Sequence, residues 1–147
     1  MTMYANPKQQ RERYTADAVM SASPARLLTM LYDRLLLDLG RAEAAHETGS
    51  WAEASTHLLH AQDIVTELTS SLKPELWEGG DGLLALYNYV ASALIDANVK
   101  RDTERIREAV GLLEPLRQSW HEAAAQLTAA QPVAPRPVST GGMLGVA

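Results

Sequence analysis

Four segments of this chain carry apolar residues at helical spacing, and each is closed by a local stop signal. That pattern leaves few folds open. At 100° per residue, Leu27, Leu28, Leu31, Tyr32, Leu35, Leu39 and Ala42 share one arc, which predicts a helix from Pro24 to about Glu47. Ser23 is an N-cap whose hydroxyl can accept from an orphan backbone N–H, and Pro24 suits the first helical position. Gly49 supplies the stop. The second helix should run from Trp51 to about Leu72, with Trp51, Ala54, Leu58, Ala61, Val65, Leu68 and Leu72 on one face. Ser50 and Glu53 read as a capping box at its start, and Pro74 ends it. Gly79-Gly80-Asp81-Gly82 reads as a turn, with Asp81 as the expected cap of a third helix reaching about Asn98. Leu83, Leu86, Tyr87, Val90, Ala91, Leu94 and Ala97 are its core face. A fourth helix starts near Asp102 or Thr103 and runs to about Leu127, with Ile106, Ala109, Val110, Leu113, Leu116, Trp120, Ala124 and Leu127 as its stripe. Pro115 lies inside it and predicts a kink near Gly111 to Pro115 rather than a break.

Four amphipathic helices on short links give an all-α fold, an antiparallel four-helix bundle. The bundle should occupy residues 21–127. Residues 1–20 read as a mobile N-terminal arm with isolated apolar side chains (Met3, Tyr4, Tyr14), and residues 128–147, rich in Ala, Pro and Gly, as a disordered tail.

Composition narrows the function by exclusion. A net charge of −5 supplies no basic field for nucleic acid or an anionic membrane. No apolar run is long enough to insert into a membrane, and the polar first fourteen residues lack the apolar core of a secretory signal. The absence of cysteine removes disulfides and thiolate chemistry and fits the cytoplasm. No phosphate-cradling glycine loop, His-Glu-x-x-His or nucleophile elbow occurs, so no catalytic residue, metal or cofactor is expected. His57 and His60 lie one turn apart but lack a third ligand. A histidine phosphotransfer bundle is the competing reading, yet His57 is followed by Leu58-Leu59-His60-Ala61, without the lysine and glycine such sites resemble. What remains is interaction chemistry. Met30, Leu37, Leu59, Ile64, Leu84 and Ile95 fall off the core arcs and could line grooves for an amphipathic partner helix, or be singly exposed residues without function.

Tyr14 and Val19, then Ser21-Ala22-Ser23-Pro24, then Leu27-x-x-Met30-Leu31-Tyr32-Asp33, resemble the flagellar export chaperone family FliS. Further matches are Ala61-Gln62-Asp63-Ile64-Val65-x-Glu67-Leu68-x-x-Ser71-Leu72, Leu86-Tyr87-x-Tyr89-Val90 with Ala97-Asn98, and Leu112-Leu113-x-x-Leu116-Arg117-x-x-Trp120. The resemblance implies a cytoplasmic bundle that binds the disordered C-terminal segment of flagellin, held extended with short helices in apolar grooves. Premature polymerisation is thereby blocked and the subunit stays competent for type III export. It also implies that the segment carrying Tyr14 can cover a groove in the free chaperone. The residues so marked for the groove or its cover are Tyr14, Val19, Met30, Leu31, Tyr32, Ile64, Leu68, Tyr87 and Tyr89. Other export components and a second copy of the chain stay open as partners. Three features depart from the family pattern: a short glycine loop before Tyr87, Ala91-Ser92-Ala93 where basic residues are usual, and Pro115.

Overall fold

The computed structural model describes residues 23–130 and, outside that range, Pro7 alone. The expected arm, with Tyr14 and Val19, and the tail beyond Ala130 lie outside the described residues. Four helices follow one another: α1 (Pro24–Glu47), α2 (Trp51–Ser71), α3 (Gly80–Lys100) and α4 (Thr103–Ala130), with a 3-10 turn at Pro74–Leu76. They pack antiparallel. Helix α1 lies against α2 and α4, and α3 lies against the same two, which puts α1 and α3 on a diagonal.

The ends of α1 follow from local chemistry. Ser23 Oγ accepts from the Arg26 N–H at 3.2 Å, and Pro24 occupies the first turn. At the other end, Gly49 takes φ +68°, its N–H donates to His46 O at 3.1 Å and the Ser50 N–H donates to Ala45 O at 2.8 Å. That pair of bonds is a Schellman motif, and its left-handed residue is why glycine sits there. Because Ser50 completes this motif, its hydroxyl turns to Thr48 at 2.9 Å, and the expected capping box with Glu53 does not form.

Helix α3 begins two residues earlier than the glycine run suggests. Gly79, at φ +88°, is its N-cap, and Asp81 lies within the first turn instead of capping it. Gly80 is buried because the helix starts on top of the 3-10 turn. A Cβ there would stand 2.6 Å from both Cα and O of Pro74. Backbone on both sides cannot yield as a side chain would, so Gly80→Ala should destabilise the bundle by about 1–3 kcal/mol, read as a lower urea midpoint at unchanged slope. Helix α4 runs unbroken through Pro115 and continues to Ala130, three residues past the expected end.

The core is one cluster. Tyr32, Leu35 and Leu39 of α1 meet Leu58 and Val65 of α2, Tyr87, Val90 and Leu94 of α3, and Ile106 and Leu113 of α4. Each large side chain so buried contributes about 1.5–3 kcal/mol against exposure, which outweighs weak propensity at any one position. At its centre the hydroxyls of Tyr32 and Tyr87 share a hydrogen bond of 2.8 Å, and the Trp120 ring stands edge-on to Tyr32 at 6.3 Å between centroids. Burial pushes both phenols above their ordinary pKa, so both stay neutral.

Candidate functional site

Helix α1 projects unpaired apolar surface where its N-terminal half passes the C-terminal end of α2. Leu27, Leu28 and Leu31 are spaced 1, 3 and 4 apart, so they form one ridge along the helix. With Pro24 they line an apolar cleft of about 330 Å³, closed on the α2 side by Glu67 and Ser71. Leu27 is 37% exposed, and Leu28 and Leu31 are half-buried against the core. On the other flank of the same half-helix a second, more polar cleft of about 290 Å³ runs between Ser23, Arg26 and Thr29 and the α4 residues His121, Ala124 and Leu127. The start of α1 is therefore grooved on both sides.

The residues marked from sequence divide into groups. Leu31 lines the apolar cleft, and Met30 beside it is half-buried. Tyr32, Ile64, Leu68 and Tyr87 are buried in the core and do not line the cleft. Ile64, which periodicity puts off the core arc, is buried in the core cluster, because α2 packs against helices on two sides. Tyr89 is 44% exposed on the far face, where its hydroxyl donates to Glu108 at 2.6 Å and accepts from Arg105 at 3.0 Å. The structure does not bring Tyr89 to the α1–α2 cleft. Of the off-arc set, Leu37, Leu59 and Ile95 are exposed, and Met30 and Leu84 are half-buried.

Two carboxylates of α1 have roles the apolar pattern did not reveal. Asp38 is fully buried and is bound by Arg34 Nε at 3.2 Å and by His60 Nδ1 from α2. Asp33 accepts from Arg117 Nε and His121 Nε2 of α4, each at 2.7 Å. Burial alone would push the Asp33 carboxyl up, but the hydrogen bonds from His121 and Arg117 outweigh it and hold it below the usual carboxylate range. The signal for Asp38 was available: it follows Leu35 by three positions, inside the apolar arc. These clasps tie α1 to both neighbours; among the described residues no three ligand-type side chains cluster. His57 is 19% exposed and lies 3.7 Å from Glu53, a poor position for a phosphoryl acceptor.

His46 supplies a pH dependence. It is buried at the end of α1, with Nδ1 3.0 Å from Thr103 Oγ1. Burial, and then the positive charge of Arg101, push its pKa below the ordinary 6.5, against a smaller opposite effect of Asp102. Below about pH 6.5 the unfolded chain therefore binds more protons than the bundle, and stability rises with pH. The contribution of neutral His46 is complete above that pH and is lost as pH falls from there through the lowered pKa of the folded state. Denaturation at pH 7 and pH 5 should show a larger loss for the parent chain than for His46→Gln, and equal losses would contradict this assignment.

No described helix is long and apolar enough to cross a membrane. The family described as flagellar protein FliS matches residues 5–127. Flagellar secretion chaperone FliS of Bacillus subtilis is 31% identical over 110 residues, covering 75% of this chain and 82% of that protein. Its namesake in Salmonella typhimurium is 35% identical over 109 residues, covering 71% and 79%. A crystal structure of a flagellar chaperone from bacteria shares the fold, with a TM-score of 0.65 at 21% identity over 82% of this chain and 99% of that one. With the helical bundle, these similarities place the chain in the FliS family of flagellar secretion chaperones, a family of non-enzymatic proteins.

Proposed function

We propose that this chain works in the cytoplasm, binding the disordered C-terminal segment of flagellin, preventing its premature polymerisation and keeping it competent for type III export. The observation that carries this reading is the apolar cleft of Leu27, Leu28 and Leu31 between α1 and α2, in a chain of the secretion-chaperone family. A cleft walled by two helices suits an amphipathic segment that inserts side chains at i, i+3, i+4 and i+7. Ordering a disordered segment opposes binding, so a large apolar area must be covered and many modest contacts are needed. In this account Met30 and Leu31 belong to the groove, and Tyr14 and Val19 to the arm that covers it in the free chaperone. Tyr32, Ile64, Leu68 and Tyr87 hold the groove's floor in place, and Tyr89 marks a second stretch of the wrapped path.

The test is co-purification with flagellin, full length and lacking its C-terminal segment. Full-length flagellin should be retained and the shortened protein lost. Equal retention of both would overturn the proposal.

A further inference from the structure

At the end of the bundle where the α1–α2 and α3–α4 turns meet, a cleft of about 340 Å³ is lined by His46, Trp51, Ala52, Ser55, Asn98 and Arg101. We propose that this cleft is an oxyanion site, taking a carboxylate or a phosphate. Arg101 supplies the charge. Its guanidinium lies 4.7 Å from the centroid of the Trp51 ring, and, like Arg26 and Arg41, it pairs with no carboxylate among the described residues, whereas Arg34, Arg105, Arg107 and Arg117 each hold one. Arg101 also takes φ +54°, a position at a helix end where glycine is the unstrained choice.

His46 is the second and independent observation. It is only 7% exposed, yet it lines the cleft. Its Nδ1 faces Thr103 Oγ1, and its Nε2 has no hydrogen-bond partner among the described residues. In the tautomer in which the Thr103 hydroxyl donates to Nδ1, the Nε2–H is a donor open to a ligand in the cleft. The first turn of α2 adds to this, because Ser50 leaves its N–H groups without a side-chain cap, and such groups attract anions. Asn98 and Ser55 add neutral donors. Two acids stand near. Asp102 partly offsets the charge of Arg101 at His46, and Glu53 turns away, to His57.

The test follows the His46 ring by NMR in the full chain near neutral pH, with phosphate, acetate or chloride added at matched ionic strength. Phosphate or acetate should give a saturable shift that chloride does not, with Trp51 fluorescence changing in parallel. Arg101→Gln should weaken the effect about tenfold or more, since a charge-assisted hydrogen bond is lost. Saturation by phosphate alone assigns a phosphate site, and saturation by acetate assigns a carboxylate site. No saturable shift with either anion, or the same affinity in Arg101→Gln, would overturn the proposal. Flagellin binding plays no part in the readout.

Discussion

Leu27→Asp should weaken flagellin binding by about 2–4 kcal/mol, or roughly 30-fold to 1,000-fold, while leaving the bundle folded. Leu27 contributes exposed apolar area to the α1–α2 cleft and is not in the core cluster. The substitution removes that area and puts a carboxylate where the bound segment would cover it. It also faces Glu67 across the cleft with a like charge. In the free chain the aspartate lies early in α1, where the helix dipole favours an acid, so the unfolding midpoint should change little. Calorimetry with flagellin and thermal melts of the free variant separate the two effects. Unchanged affinity with unchanged stability would remove this cleft from the binding path.

Tyr32→Ala should cost about 3–5 kcal/mol of stability, against a total of about 5–15 kcal/mol for a domain. Tyr32 is fully buried, hydrogen-bonded to Tyr87 and edge-on to Trp120. The truncation opens a cavity and strands the Tyr87 hydroxyl. Tyr32→Phe separates these effects. It keeps the ring and strands only that hydroxyl, which costs about 1–3 kcal/mol. Tyr87→Phe does the converse, and the double variant should lose less than the two single losses added, because no unpaired hydroxyl remains. Urea unfolding of the four proteins closes the cycle, and strict additivity would show that the hydroxyl pair is not coupled.

How much of this was legible in the sequence depends on whether the cause was local. Both ends of α1 were readable because Ser23, Pro24 and Gly49 act within one turn of their own position. The start of α3 was not, because Gly80 answers to the backbone of Pro74 across the turn. The Ser50–Glu53 box failed because Ser50 was already committed to closing α1. At the candidate site, Leu31 was marked and Leu27 was read only as core, since periodicity places a residue on an arc without saying how far the neighbouring helix covers it. Tyr32 and Tyr87 were marked for a groove, and their pairing across 55 residues of chain was invisible before α1 and α3 were brought together. Asp38 and His60 meet for the same kind of reason.

The central claim is that an apolar cleft at the start of α1 receives the C-terminal segment of flagellin. Calorimetric titration of the chain with that segment alone, at several temperatures, tests it most directly. The account predicts saturable binding with a large negative heat-capacity change, the mark of buried apolar surface, reduced by Leu27→Asp. Absence of binding, or binding whose heat-capacity change is near zero and indifferent to Leu27→Asp, would contradict it.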